Sequence, residues 1–341
     1  MNERPSIPTL EDVARAAGVS TATVSRCLNE KEKVSPRTLS KVMKAVDALG
    51  YTPNYNARAM AARRSFTIGA IIPTMENAIF ARGVQAFQET LHEMGYNLLV
   101  SSSAYQPELE AEQIRALVAR GADGLLLIGY ARDASIYEYL ERRGVPTVLA
   151  WSLEADEIHA CVGFDNRASM RPLADHVLGL GHKRLGVISG MIEGNDRAKG
   201  RLAGIKDSWE AHGYDLSDLN VIETPYEIEN GAAAFEALMQ SDPPPTAVMC
   251  GNDVLAIGAL SKARELGIKV PEDVSITGFD DIEIARHVTP PVTTVHVPHR
   301  EMGRRAAQLL VDLINEEGSA ASVQLRTDVV LRGSLAAPKE E

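Results

Sequence analysis

Three short apolar stripes open the chain. After Thr9, apolar positions recur as Leu10, Val13, Ala14 and Ala17, a helical spacing that ends at Gly18. Thr9 stands before Glu11 and Asp12 and reads as an N-cap with acids in the first turn. Ser20 caps a second predicted helix over Thr21–Leu28, in which Val24 and Leu28 turn inward. Thr21, Ala22, Ser25 and Arg26 are left on its outer face. Ser35-Pro36 starts a third helix with the buried stripe Leu39, Val42, Val46 and Leu49, and Gly50 stops it. Two short helices joined through a glycine turn, with a third behind, make a helix-turn-helix. In that geometry the start of the second helix enters the DNA major groove. A plain three-helix bundle with a polar surface carries the same stripes.

The next stretch, Tyr51 to Arg64, is alanine-rich and basic. Asn54 is a capping residue and good helix formers follow, but about eight residues are too few for a stable isolated helix in water. Such a segment is expected to order only against a partner. Met60 is its one large apolar side chain beyond Tyr55, with Arg58, Arg63 and Arg64 around it. That is the composition of an apolar minor-groove wedge flanked by phosphate contacts.

From Thr67 the period changes. Strand-like runs (Thr67–Ile72, Asn97–Val100, Gly124–Ile128, Pro146–Leu149) alternate with helical ones (Phe80–Met94, Glu108–Arg120, Glu138–Arg143). The alternation restarts at Ala168–Gly179 and runs on through Arg184–Ile188, Arg201–His212, Val221-Ile222, Ala232–Gln240, Ala247–Cys250, Val254–Leu266 and Val274–Thr277. Two such blocks predict two lobes, each a parallel sheet with helices on both faces. Ligands of open α/β sheets bind at the strands' carboxyl ends, which here means the cleft between lobes.

Charge divides the chain at the same place. Residues 1–64 hold 11 Lys+Arg against 6 Asp+Glu, a net of +5; with 35 and 46 in the whole chain, the remainder is 24 against 40, a net of −16. A basic module attached to an acidic body suits nucleic-acid binding. The three cysteines, Cys27, Cys161 and Cys250, are far apart and form neither a metal-ligand pair nor a disulfide framework. With no apolar run of membrane length and no h-region in the first residues, a cytoplasmic protein is expected, without membrane partner, metal or cofactor. An enzyme and a transport binding protein are the competing readings. No G-x-S-x-G, P-loop, G-x-G-x-x-G after a strand or metal-spaced histidine pair supports the first, and no catalytic residue is assigned. The second would not carry the N-terminal 64 residues.

The ungapped run Thr9 to Arg26, with Asn29, Val34-Ser35, Leu49-Gly50-Tyr51-Thr52-Pro53-Asn54 and Ala57, resembles the lactose-repressor/galactose-repressor family. So do Arg167, Gly181-His182, Gly200 to Gly204, Asn252-Asp253, Ala256 to Ala259, Val270-Pro271, Asp273 to Ser275, Gly278 to Asp281 and Thr293 to Val295. The match covers residues 7–335. The resemblance implies a helix-turn-helix with a hinge helix at 54–62, followed by a two-lobed, periplasmic-binding-protein-like sensor. Its domain bounds would be 1–64, 65–164 plus 296–324, and 165–295 plus 325–341, with three crossings between lobes. It implies a homodimer on operator DNA, a transcriptional regulator expected to be a repressor, and a carbohydrate-like effector in the cleft. DNA contacts carried over by position are Thr9, Ser20, Thr21, Ala22, Thr23, Ser25, Arg26, Asn29, Tyr51, Asn54, Ala57, Arg58 and Met60. Met60 takes the place of an intercalating leucine.

Effector contacts carried over are Ile79, Phe80, Trp151, Asp165, Arg197, Arg201, Tyr226, Asn252 and Asp280. The set suits a polyol: aromatic faces for C–H surfaces, carboxylate and amide for hydroxyls, and an arginine fork for paired oxygens. Asp165 and Asp280 follow apolar strands, so capping the next helix is their alternative role. Arg197, Lys199 and Arg201 cluster three cations, which points to a sugar acid or sugar phosphate, although Lys199 should face away from the other two. Phe80-Ala81 and Val162 to Asn166 resemble the family's gluconate-repressor branch.

Overall fold

The computed structural model describes residues 8–52, 64–76, 78–153, 159–316 and 321–339. The chain divides into two compact units, Met1–Ser65 and Phe66–Glu341.

The first unit holds α1 (Leu10–Ala17), α2 (Thr21–Asn29) and α3 (Pro36–Leu49). Each starts where a side chain satisfies free backbone donors. Thr9 and Asp12 form a capping box, with the Thr9 hydroxyl donating to the Asp12 carboxylate at 2.6 Å and the Thr9 N–H at 2.9 Å. Ser20 Oγ accepts from Thr23 N at 3.2 Å, and Ser35 Oγ from Thr38 N at 3.3 Å. Gly18, at φ 58°, closes α1 in the left-handed region, where a β-carbon would be strained. Helices this short do not stand alone, so their shared core holds them. Val13, Val24, Cys27 and Val42 are fully buried there, each contributing about 1.5–3 kcal/mol. Cys27 therefore serves as a small apolar side chain.

The second unit opens with β1 (Thr67–Ile72), α4 (Ala78–Glu93), β2 (Asn97–Ser102), α5 (Pro107–Ala119), β3 (Gly124–Ile128), α6 (Ala134–Arg143), β4 (Thr147–Ala150) and β5 (Cys161–Gly163). It continues through α7 (Asn166–Gly179), β6 (Leu185–Gly190), α8 (Asp196–Ala211), β7 (Asn220–Thr224), α9 (Ile228–Met239), β8 (Ala247–Cys250), α10 (Asp253–Glu265) and β9 (Ser275–Thr277). The last elements are β10 (Thr294–His296), α11 (His299–Asn315), β11 (Val323–Gln324) and β12 (Asp328–Val330). One sheet has the order β11-β5-β4-β3-β1-β2 and the other β7-β6-β8-β9, both parallel, while β10 and β12 form an antiparallel pair. Helices cover both faces, so β3 and β4 are buried at every residue, which is why they read as continuous apolar runs.

The chain passes between the two sheets three times: after β5 into α7, through β10 into α11, and from β11 into β12. α11 packs on α4 and on β3 to β5 of the first sheet. Beyond β12, Ile276 N of β9 donates to Ser334 O. In both sheets the strand order reverses beside the first strand, β1 or β6, so both crevices open at the carboxyl ends.

Three strands escaped the pattern, β5, β10 and β11, each too short to show a period. α8 begins at Asp196 rather than Arg201, because Asn195 Oδ1 accepts from Ala198 N and caps a polar first turn. α6 likewise begins at Ala134, capped by Asp133.

Candidate functional site

On the helical unit, Thr21, Ala22 and Arg26 are exposed on one face of α2, with Ser25 half-buried beside them. Among the described residues Arg26 has no ion-pair partner, so its fork is free for a base edge or a phosphate. Ser20 and Thr23 share a side-chain hydrogen bond of 2.9 Å, and both serve the N-terminus of α2. Thr9 is held in its capping box. Tyr51 is partly buried against the helical core, which gives it a packing role at the end of α3. Asn29 closes α2. Asn54, Ala57, Arg58 and Met60, with the expected hinge at 54–62, lie outside the described residues.

In the α/β unit, Arg197, Arg201, Asn252, Asp280 and Trp151 are all buried; Trp151, Asn252 and Asp280 follow the carboxyl ends of β4, β8 and β9, and the two arginines lie on α8. Arg201, on the inner face of α8, donates to Asn166 Oδ1 at 2.8 Å and to the Tyr226 hydroxyl at 2.7 Å; its guanidinium lies 4.9 Å over the Phe279 ring. Room for Tyr226 comes from Gly190 at the end of β6, where a β-carbon would overlap the ring. Arg197 donates to Asp196 Oδ1 at 2.7 Å and to Ile128 O at 3.2 Å, reaching the end of β3 in the opposite sheet. Lys199 is exposed, on the other side of the helix.

Asp280 follows β9 at φ 104°. Burial pushes its carboxyl up to about 7, against the pull of Arg201 and Arg197. Three atoms here make no hydrogen bond among the described residues: Arg201 Nε, Asn252 Nδ2 and Asp280 Oδ2. Asn252 spends only its Oδ1, which caps α10 by accepting from Leu255 N at 3.0 Å. A buried polar group without a partner costs about 1–3 kcal/mol, so three together cost about as much as a domain's net stability. Ligand hydroxyls at this spot would satisfy them.

Trp151 ties the two halves. Its Nε1 donates to His299 Nδ1 at 3.1 Å, and His299 Nε2 then donates to the Asp280 backbone carbonyl at 3.2 Å. That assigns a neutral imidazole, and burial indeed lowers His299 to about 4. The Trp151 carbonyl accepts from Asn166 Nδ2 at 3.0 Å, and Phe80 packs edge-on against its ring at 5.4 Å. Ile79 is buried in the surrounding apolar core. Asp165 takes its alternative role, as a helix cap. It is exposed and caps α7, accepting from Ala168 N at 2.9 Å, while its neighbour Asn166 turns into the cluster. The family resemblance marked this stretch, but not which of the two adjacent side chains would point inward.

Two cavities flank this cluster. One, of about 560 Å³, is lined by Tyr130, Ser152, Asp165, Asn166, Asp196 and Lys199; the other, of about 380 Å³, by Tyr105, Met191, Glu193, Tyr226 and Val254. Asn195 lines both. Tyr105, Asn166, Asp196 and His299 were not singled out as contacts from the sequence.

Residues 9–54 match the bacterial regulatory proteins of the lacI family, and residues 174–335 match a periplasmic binding protein-like domain. The HTH-type transcriptional repressor CytR of Escherichia coli (strain K12) is 35% identical over 332 residues, 96% of each chain. The chain belongs to the lacI family. It is thus a DNA-binding transcriptional regulator, with a helix-turn-helix reader followed by a periplasmic-binding-protein-like sensor. Among solved structures, the regulator superposes on the lac repressor dimer bound to operator and the anti-inducer ONPF with a TM-score of 0.86 at 26% identity, covering 97% of this chain and 99% of that one. It also superposes on the transcriptional regulator CelR in complex with cellobiose, with a TM-score of 0.71 at 30% identity, covering 96% and 99%. No described helix of the regulator is long and apolar enough to cross a membrane.

Proposed function

We propose that the regulator senses an uncharged, hydroxyl-rich molecule, held between its two sheets by Arg201, Asn252 and Asp280, and that its occupancy sets operator affinity. The observation that carries this is a set of three unsatisfied buried polar atoms at the strand carboxyl ends of the second sheet and on α8 beside it: a donor on Arg201, a donor on Asn252 and an acceptor on Asp280. Their complement is a set of hydroxyls, each able to donate and accept.

The charge balance favours a neutral ligand over a sugar acid or sugar phosphate. Arg197 is matched by the buried Asp196, and Arg201 faces Asp280. Lys199 is exposed and shares the larger cavity with the Asp165 carboxylate. Trp151, Phe80 and Tyr226 supply ring faces, and CelR, with cellobiose bound, offers a precedent for a neutral sugar on this fold.

The remaining parts follow the same reading. The regulator acts in the cytoplasm as a homodimer on a two-fold operator, as the operator-bound lac repressor dimer does. The α2 face of each protomer reads one half-site. The 54–62 segment orders on the central minor groove, with Met60 opening a base step. The reader spans 1–64; the lobes are 65–164 plus 296–324, and 165–295 plus 325–341.

A thermal-shift screen of the purified regulator against neutral sugars, sugar acids, sugar phosphates and nucleobases tests the ligand class, because a ligand of the native state raises the melting temperature. A shift with a neutral sugar is expected; a shift confined to anions sinks the charge argument. Arg201→Ala should abolish the effector response while leaving operator binding intact. An unchanged dose-response in that variant removes Arg201 from the site.

A further inference from the structure

The turn after β3, Ile128 to Arg132, is held from both sheets. On its own side Arg132 donates to Ile128 O at 3.2 Å, to Gly129 O at 2.8 Å and to the Tyr137 hydroxyl at 2.6 Å, and it pairs with Glu110 of α5 at 3.1 Å. Gly129 N donates to Ala150 O of β4 at 2.9 Å. These bonds fix the turn's shape from within its own sheet.

The first turn of α8 meets it from across the crevice. Arg197 donates to Ile128 O, and Asp196 Oδ2 accepts from Tyr130 N at 3.3 Å. Arg197 and Asp196 also share an ion pair of 2.7 Å, with side chains only 8% and 2% exposed. The cation thus takes a backbone carbonyl of the opposite sheet and the anion a backbone N–H. Gly129 lies directly against the pair. A β-carbon there would overlap both the guanidinium and the carboxylate, and its φ of 69° is left-handed as well. β3 stands two strands in from β5, so the contact acts across the crevice, away from the chain crossing at β5.

A buried ion pair recovers its desolvation cost only when its remaining hydrogen bonds are made. Here Ile128 O and Tyr130 N make them. If the sheets part fully, water makes them instead. At intermediate separations neither does, so the contact has two states, shut and fully open. We propose that Asp196 and Arg197 form a latch that holds the crevice shut in the ligand-free regulator. All its bonds come from the chain itself, so the latch does not rest on the ligand class proposed above. A ligand that fits the shut form meets a preorganised site, and its apparent affinity scales with the latched fraction. Gly129 sets how closely the sheets approach, and Arg132 positions the turn that is gripped.

Hydrogen exchange of the full-length, ligand-free regulator reads the latch at the Tyr130 amide, whose acceptor belongs to the other sheet. In the wild type this amide should exchange about tenfold or more slowly than a freely exposed one. Arg197→Ala should remove that protection, although Asp196, the acceptor itself, stays in place. Gly129→Ala should do the same without deleting any polar group. Peptides from β1 and β8 serve as references and should keep their wild-type rates. Where a variant loses protection in the references too, Asp196→Asn decides. Its amide oxygen still accepts from Tyr130, yet with the ion pair gone the Tyr130 amide should exchange at the open rate. A Tyr130 amide that exchanges freely in the wild type overturns the latch. So does protection that persists in Arg197→Ala and Gly129→Ala, or in Asp196→Asn, because the Tyr130 bond would then be a fixed part of the fold.

Discussion

Asp280 keeps a carboxyl group inside a cleft that excludes water, and its ordinary value of 3.8 is raised to about 7. At pH 6 it is mostly protonated and at pH 8 mostly ionised. A ligand hydroxyl donating to Oδ2 needs the ionised form, so binding releases a proton. Effector affinity should therefore rise as pH rises toward 7, by up to about tenfold per unit, and level off above it. Titrations between pH 5.5 and 8.5 check this. A flat wild-type profile contradicts it, and Asp280→Asn should remove the slope. Stability carries a second sign. Asp280 binds a proton more tightly folded than unfolded, so its contribution falls as pH rises from about 4 to about 7. His299, lowered from 6.5 to about 4, binds a proton less tightly folded, so its contribution falls as pH drops through that window. Between about 4 and 6.5 the two slopes oppose. Asp253, raised by burial as well, slopes the same way, so adding Asp280→Asn should flatten in part the decline of denaturation midpoint from pH 4 to pH 7 that His299→Gln should unmask. A decline that Asp280→Asn leaves unchanged removes Asp280 as a titrating group.

The helical elements separate reading from folding. Ser20 caps α2 and Arg26 projects from it, so Ser20→Ala should cost about 1 kcal/mol of reader stability. Arg26→Ala should leave stability unchanged and cost about 1–3 kcal/mol of operator affinity, about fivefold to more than a hundredfold. Comparing melting curves with operator titrations distinguishes them; a reader destabilised by Arg26→Ala would mean that this side chain packs rather than reads. These elements were legible in the sequence because their signals are local: caps at Thr9, Ser20 and Ser35, stops at Gly18 and Gly50, and one stripe per helix. The long buried strands were legible from apolar runs. β5, β10 and β11 were not, since two or three residues carry no period and are strands only through their partners, β5 lying between β4 and β11 and β10 against β12. In the cleft, the strand-end rule marked the region and the family resemblance supplied Arg201, Asn252 and Asp280, whereas the inward turn of Asn166 rather than Asp165, the Tyr105–Tyr226 contact and the Trp151–His299 link arise from contacts distant in sequence. The left-handed backbones of Trp151 and Asp280 that aim these side chains leave no trace in residue type.

At the scale of the whole molecule, charge and chemistry are divided between the two units, so their coupling is the regulator's function. The net +5 of residues 1–64 and the −16 of the remainder leave phosphate attraction to the reader, which predicts operator binding that weakens steeply with salt and effector binding that barely responds. If operator and effector bias one common equilibrium, linkage makes the coupling reciprocal. The factor by which saturating effector changes operator affinity must equal the factor by which saturating operator changes effector affinity, whether effector releases DNA or promotes its binding. Met60→Ala tests where that coupling enters. With the minor-groove wedge lost, operator affinity should fall while effector affinity in free protein stays at the wild-type value. The coupling factor should shrink toward one, because the hinge no longer distinguishes the two states. Operator titrations with and without effector, and effector titrations with and without operator, give all four constants for both proteins. A Met60→Ala variant with weaker operator binding but an undiminished coupling factor would place the switch elsewhere than the 54–62 segment, leaving Met60 as a DNA contact alone.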